Sequence, residues 1–213
     1  MYTYRLVESA EEKEFIYKLR YDIYCKEKEW LDSSKYSRRL ENDKYDKSSI
    51  HFGAFDVNNI LVGSVRLILP QDSMSIPIEE AFEIVPNLNQ KRVEVSRLVI
   101  PKNRRGFDIL MGLIRTIYEW AIENNVTHAY ATIENNLLNY LVRKSYPFKQ
   151  IKNGKDYFGG YTIPTCLIIS DVEDFVVLKR IANKWRYKRG RGNFVVWTIY
   201  VKEYRLYTNR ITK

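Results

Sequence analysis

Short β-like apolar runs alternate with longer stripes of helical period along most of the chain. "TYRLV" at residues 3–7 reads as a first strand. From about Ser9 to Lys26, Phe15, Leu19 and Ile23 recur at helical spacing, with Ile16 and Tyr24 flanking them. Ser9 suits an N-cap, and Glu11 and Glu12 fall in the first turn, where acidic side chains complement the helix dipole. The stretch "KEKEWLDSSKYSRRLENDKYDKSS" then loses all periodicity and predicts a long loop, a feature compact domains usually keep for function or motion. "HFGAFDVNNILVGSVRLILP" predicts a hairpin, its Asn58–Asn59 pair tolerating the positive φ of a tight turn.

The second half continues the alternation. "IPIEEAFEI" predicts a short helix and "VEVSRLVIP" (93–101) an apolar strand. Residues from about 108 to 124 carry Leu110, Leu113, Ile114, Ile117 and Ala121 on one helical stripe. "THAYATI" predicts a strand, "NNLLNYLVRKS" a helix and "YTIPTCLIIS" a further strand. This order fits an α/β (α+β) domain over residues 1–169, one twisted mixed sheet with helices on both faces. Residues 170–213 differ. Ser170 and Glu173 form a capping box for a helix bearing Val172, Phe175, Val176, Ile181 and Trp185, followed by the basic "KWRYKRGRG" and the strand-like "NFVVWTIYV". They predict a basic C-terminal extension packed on or appended to the domain.

Composition narrows the class. The 213 residues are 45% hydrophobic and 29% charged, ordinary for a globular protein with one sizeable core. No apolar run approaches the roughly 18–20 residues of a membrane span, and the N-terminus lacks a signal-peptide pattern. Cys25 and Cys166 are far apart and outside metal-ligand spacing, so two free thiols in a reducing cytoplasm are expected, with no metal site. A formal charge of +9 and a pI near 9.4 imply attraction to an acidic partner.

Several charges sit where apolar residues belong. Glu94 and Arg97 interrupt the apolar strand, Arg66 lies mid-hairpin, and Arg20 lies on the first helix. Buried arginines stay charged and need carboxylate partners, and Asp43, Asp46 and Glu94 balance Arg20, Arg66 and Arg97. The long loop would fold over the sheet to bring its carboxylates in. A structural ion-pair network and an active-site cluster both fit this pattern. Residues 94 and 97 point to opposite faces of a regular strand, unless a β-bulge between them re-aims one side chain.

The segments "LRYDIYCKEKEW", "LENDKYDKSSIHFGAFD", "VGSVRLILP", "IPIEEAF" and "VEVSRLVIP" follow one another as in the autoinducer-synthase branch of the GNAT acyltransferases. "YCKE", "SIHF" and "NLLNYLVRKSYPFKQIKNGKDYFGGYTIP" resemble the N-acyl amino acid synthases and exosortase-associated acyltransferases most closely. The resemblance covers roughly residues 4–168. It implies a GNAT-like sheet and a cytoplasmic enzyme that passes a long-chain fatty acyl group from an acyl carrier protein thioester to the amine of an amino acid or similar small molecule. It implies catalytic roles for Glu94, Ser96 and Arg97, and substrate contacts for Arg20, Tyr24, Trp30, Asp43, Asp46 and Arg66. Tyr24 stands where the homoserine-lactone synthases commonly have phenylalanine.

Aminolysis of a thioester needs a neutral amine, a positioned carbonyl and stabilisation of the oxyanion, so Glu94 is the candidate base and an arginine the candidate partner for an acceptor carboxylate. Where GNAT enzymes carry R/Q-x-x-G-x-G/A, this chain has "NRRGFD", with Asp108 at the final small position. The resemblance places Val99, Arg104, Arg105 and Gly106 against the thioester's phosphopantetheine arm. The degenerate motif suits a carrier-protein phosphopantetheine better than free coenzyme A, and no permanently bound cofactor is implied. A basic protein also meets an acidic carrier protein readily. An acyl-homoserine-lactone synthase using S-adenosylmethionine is the alternative within the class. A nucleic-acid-binding module is the remote alternative, carried by the tail's arginines and aromatics; a solvated basic helix end accounts for them without nucleic acid and leaves room for peripheral membrane contact.

Overall fold

The computed structural model describes residues 2–71, 75–104, 107–144 and 146–172. Residues 1–169 form one compact unit and 170–213 a second. Of the helix expected in the extension, only its start is described, residues 169–172 being helical with Ser170 inside the helix; the rest of it and the expected strand lie outside the described residues.

Eight strands build one mixed sheet: β1 (Thr3–Leu6), β2 (Ser49–Phe55), β3 (Leu61–Ile68), β4 (Arg92–Val99), β5 (His128–Glu134), β6 (Lys149–Gln150), β7 (Lys155–Tyr157) and β8 (Gly160–Ile168). Their order is β1-β2-β3-β4-β5-β8-β6, with β7 also pairing β8. Every pairing is antiparallel except β4 with β5. A parallel pair needs a long crossover, which α3 (Phe107–Glu123) supplies. β5 is followed by α4 (Asn135–Arg143), and α1 (Ala10–Tyr21) and α2 (Pro77–Phe82) come earlier in the chain.

The sheet separates an apolar face from a charged one. Phe52, Ala54, Val65 and Leu67 meet Ile109, Leu113 and Ile117 of α3, the stripe expected from the sequence. Further along, Ala131 and Ile133 meet Leu138 and Leu141 of α4. The alternate positions of β2 and β3, including His51 and Arg66, point to the other face. There Val7 and Phe55 pack with Ile16 of α1, and Ile68 and Tyr130 pack with Ile76, Ile78 and Phe82 around α2.

Three local expectations are corrected. The first helix does not stay α-helical to Lys26: it widens into a π-helical turn over Asp22–Glu27. In the hairpin turn positive φ falls on Asn59 and not on Asn58, because the Asp56 carboxylate accepts both the Asn58 and Ile60 N–H groups and shapes the turn. The short β6 and β7 have no apolar alternation to announce them, since β6 is wholly exposed and β7 mostly so.

Leu113 is fully buried at the centre of the α3 face. Leu113→Ala should destabilise the domain by about 3 kcal/mol in urea unfolding, through lost transfer energy and the cavity left behind.

Candidate active site

The long segment between α1 and β2 lies over the charged face and is tied to it by a closed ring of ion pairs. Arg20 donates from Nε to Glu41 and from Nη1 and Nη2 to the two oxygens of Asp46, at 2.7 and 3.1 Å. Arg66 donates from Nη1 and Nη2 to Asp43 at 2.7 and 3.1 Å, its Nη1 also lying 3.0 Å from Asp46 Oδ1. Arg97 donates from Nε to Glu41 at 3.2 Å and from Nη2 to Asp43 at 3.0 Å. Each carboxylate thus bridges two arginines, and the ring carries no net charge.

Local turns hold the carboxylates in place. The Asp43 N–H donates to Asp46 Oδ2 at 2.7 Å, the Tyr45 N–H to Asp43 Oδ1 at 2.9 Å, and the Glu41 N–H to the Tyr17 carbonyl at 3.0 Å. Burial works against ionised Asp46, but the hydrogen bonds and charge of Arg20, then the charge of Arg66, hold its carboxyl well below the usual range. Burial likewise works against charged Arg20, and Glu41 and Asp46 outweigh it. Arg20 and Arg66 have no exposed surface to offer a ligand, being 0% and 1% exposed.

The ring's third carboxylate is Glu41 and not Glu94, which corrects the balance expected from sequence. Glu94 stands apart, 2% exposed, its Oε2 accepting the Ile78 N–H of α2 at 2.7 Å. Its nearest acidic neighbour, Glu79, is itself occupied by the Arg92 guanidinium, at 2.5 Å from Nε, and by the Ile76 N–H at 3.0 Å. Among the described residues no arginine bonds Glu94 directly. Burial therefore prevails over the Ile78 hydrogen bond and the more distant charges of Arg66 and Arg97, and raises its pKa from 4.5 to about 7.

A β-bulge accounts for Arg97. Ser64 pairs with Val99 and Arg66 with Ser96, so two steps on β3 face three on β4. Arg97 absorbs the extra residue in a left-handed conformation, φ +52°. Ser96, directly opposite Arg66, accepts the Arg66 Nε–H at 3.0 Å, and so faces the same side as Glu94 two residues earlier. Arg97 shares Asp43 with Arg66 and is thereby turned onto that side as well.

Aromatic side chains border the ring. The π-helical turn, a distortion common at functional sites, presents Tyr24. The Tyr24 ring stacks on Trp30 at 6.0 Å and meets Phe158 edge-on at 5.2 Å. Phe158 lies under the Arg97 guanidinium, 3.6 Å from its Cζ to the ring centre. Lys28 sits 3.7 Å over Trp30 and pairs with Glu134 at the end of β5 at 2.9 Å.

Glu94, Ser96, Arg97, Arg20, Tyr24, Trp30, Asp43, Asp46 and Arg66 thus come together on one face. Val99 joins them through packing: it is buried with Ile23 and Tyr24 at the end of β4, and Trp30 and Phe158 pack against that cluster. Arg104 lies in the turn after β4, 3.6 Å from Asp56. Arg105 and Gly106 lie outside the described residues. Glu79, Arg92 and Phe158 were not singled out from sequence, and Glu41 was marked only as part of a motif, with no role. Glu41 had a signal, since it opens the same E-x-D-x-x-D run as Asp43 and Asp46. Glu79, Arg92 and Phe158 had none, because only the fold makes them neighbours. Among the described residues no cluster of His, Cys, Asp and Glu is arranged to hold a metal ion, and no helix is long and apolar enough to cross a membrane.

The strands beside this cluster separate. β4 pairs with β5 from Arg92 to Glu94 and no further, although both strands continue. Among the described residues the β5-facing edge of β4 has no strand partner from Val95 to Val99, and this open edge follows directly on Glu94.

A family model described as N-acyl amino acid synthase FeeM matches residues 15–171, well over half of the chain. The structure of FeeM, an N-acyl amino acid synthase from uncultured soil microbes, is similar with a TM-score of 0.63 at 16% identity, covering 80% of this chain and 92% of that one. BjaI, a CoA-dependent acyl-homoserine lactone synthase solved with MTA, gives a TM-score of 0.69 at 18% identity over 85% of this chain and 90% of its own. A putative N-acetyltransferase from Lactobacillus plantarum gives 0.58 at 13% identity over 79% and 98%. At these identities the solved structures establish the fold, a GNAT-like acyltransferase sheet. No curated protein sequence matches the chain significantly.

Two outcomes test the ring and its surroundings. Asp46→Asn removes a carboxylate shared by two buried arginines and should cost roughly 3–5 kcal/mol in denaturant unfolding. Beside Asp46, His51 is 1% exposed, neither ring nitrogen has a hydrogen-bond partner among the described residues, and burial lowers its pKa from 6.5 to about 4. The unfolded chain therefore binds a proton at His51 before the folded one does. Stability should fall as pH drops from about 6.5 towards 4, by at most roughly 3 kcal/mol from this group. Thermal unfolding of His51→Phe should lose less over that window than wild type.

Proposed function

The chain belongs to the N-acyl amino acid synthase FeeM family of acyltransferases, and we propose that it transfers a long fatty acyl group from an acyl carrier protein thioester to the α-amine of an amino acid, with Glu94 as base. The observation that carries this reading is the isolation of Glu94: every arginine around it is bonded to another carboxylate, and its pKa of about 7 suits proton transfer at neutral pH.

The donor's phosphopantetheine arm lies along the open edge of β4 between Val95 and Val99. Its two amide groups pair with the backbone there as a β-strand would. Val99 at the end of that edge, with Arg104, Arg105 and Gly106 beyond it, meets the arm's phosphate end and the acidic carrier. The protein's charge of +9 favours that docking. On the other side, Arg97 receives the acceptor's carboxylate. Its ring bonds use Nε and Nη2, which leaves Nη1 for a ligand. Arg20 and Arg66 serve instead to hold the loop and its carboxylates, and Ser96 holds Arg66. Tyr24 and Trp30 wall the acceptor's place beside Arg97.

The amine nitrogen attacks the thioester carbonyl carbon, forming a C–N bond, and the negative charge develops on the carbonyl oxygen. Unpaired N–H groups of the β4 edge are the donors at hand for that oxyanion. Glu94 removes a proton from the nitrogen. Collapse of the intermediate breaks the C–S bond, and the phosphopantetheine sulfur leaves and takes up a proton to become the thiol. No acyl-enzyme intermediate is required, consistent with the burial of both cysteines.

The test is direct. The protein is incubated with hexadecanoyl-acyl carrier protein and a mixture of the twenty common amino acids, and products are read by mass spectrometry. An N-hexadecanoyl amino acid should form with wild type. Glu94→Gln should turn over about 10²–10⁴-fold more slowly, and the wild-type rate should rise with pH through a midpoint near 7. Absence of any N-acyl amino acid from the wild-type reaction would sink the proposal. Stability gives a second readout with the opposite sign. A carboxyl whose folded pKa is raised from 4.5 to about 7 stabilises fully below 4.5 and loses that contribution as pH rises through 7. Glu94→Gln should therefore gain stability over wild type, by roughly 3 kcal/mol at most, and the gain should be larger at pH 8.5 than at pH 5.

A further inference from the structure

The tip of the β7–β8 hairpin carries a residue that its backbone disfavours. Tyr157 pairs with Gly160 across a two-residue turn, and both central residues have positive φ: +56° at Phe158 and +82° at Gly159. Two positive φ values mark a type I′ turn, whose first central position favours asparagine, aspartate or glycine. A bulky aromatic side chain in the left-handed region is strained, and such strain persists where the surroundings hold it.

What holds Phe158 is the site. Its ring lies 3.6 Å from Arg97 Cζ and edge-on to Tyr24 at 5.2 Å. Arg97 is itself left-handed at the bulge, so two strained residues from different strands meet face to face. The turn is seated against Trp30: a Cβ at Gly159 would fall 2.5 Å from both Trp30 Cβ and the Trp30 carbonyl oxygen. On the other side of the tip, Tyr157 packs against Phe82 of α2, the helix whose Ile78 N–H bonds Glu94. Four consecutive residues, Tyr157 to Gly160, thus join Trp30, Arg97 and α2.

We propose that Phe158 is a positioning and specificity residue for the acceptor: stacked on Arg97, its ring fixes the plane of the guanidinium and forms the wall against which the acceptor's side chain rests. Glu41 and Asp43 hold Nε and Nη2 of Arg97, and the stack on Phe158 removes the remaining freedom to tilt, which keeps Nη1 directed at an incoming carboxylate. The inference rests on the reading of Arg97 as the anchor for the acceptor carboxylate. A purely structural turn residue makes the contrary prediction, because asparagine suits this turn better than phenylalanine.

Initial rates are measured for the full-length chain with hexadecanoyl-acyl carrier protein and the amino acid that gives most product in the assay above, varying each substrate in turn, alongside thermal unfolding. Phe158→Asn should raise the acceptor KM about tenfold, the worth of a partly desolvated cation–π contact. The donor KM and the unfolding temperature should stay near wild type, and Phe158→Tyr, which keeps the ring, should restore the acceptor KM. Phe158→Leu keeps apolar bulk without the π face and should behave like Phe158→Asn, which covers a fold loss in either variant. Arg97→Gln separates the two readings. If it raises the acceptor KM and the Phe158 variants do not, the inference is overturned and the Arg97 reading stands. If Arg97→Gln leaves the acceptor KM unchanged, the Arg97 reading falls and the inference falls with it. Equal rises in donor and acceptor KM in the Phe158 variants also overturn the inference, since they mark a general distortion.

Discussion

Three arginines and three carboxylates, closed into a neutral ring beneath a long loop, are what the rest of this site depends on. Arg20 comes from α1, Arg66 from β3 and Arg97 from β4, so the ring ties a helix and two strands to the segment that carries Glu41, Asp43 and Asp46. Charges so far removed from solvent are tolerated because each is shared between two opposite partners, and Asp43, Asp46 and Arg66 are further bonded by backbone N–H groups or Ser96. The loop is long because it must travel from the end of α1 across the sheet to deliver them.

The ring also decides the chemistry of a residue outside it. Glu94 shares a strand and a face with Arg97 and Ser96, and an arginine bonded to it would hold it ionised and unreactive. Glu41 occupies that role, and Arg92 is occupied by Glu79. Glu94 is left with one backbone N–H and a buried setting, which carries its pKa to about 7. The proposed base owes its character to the commitment elsewhere of the arginines described around it. The burial that raises its pKa works against stability at alkaline pH.

β4 joins the parts. Its first three residues bond β5, its middle bulges to turn Arg97, and its open edge beyond Glu94 faces the space where the strands separate. In the proposed reaction acceptor and donor approach on either side of this one strand, and the attacking nitrogen and the thioester carbonyl converge near Glu94. The left-handed backbones of Arg97 and Phe158 are held by contacts from the π-helical turn, the loop and the β7–β8 hairpin.

Much of this was legible in the chain. The stripes of α3 and α4, the alternation in β2–β5 and the misplaced charges of Arg66, Glu94 and Arg97 are local patterns, set by periods of 3.6 and 2 and by the cost of burying a charge. They determined the mixed sheet, its two faces and the need for a loop to supply carboxylates. Which carboxylate meets which arginine was not legible, because Glu41, Asp43, Asp46 and Glu94 are chemically equivalent in a string of letters and differ only in where the loop and the bulge put them. Phe158 and Glu79 were invisible for the same reason: one is an ordinary hairpin residue and the other an ordinary helix residue until distant segments meet them. The amino-acid sequence by itself determined that opposite charges had to be paired under an apolar sheet. Tertiary structure decided that Glu94 would be the one left over, since pairing is a matter of distances between segments far apart in the chain.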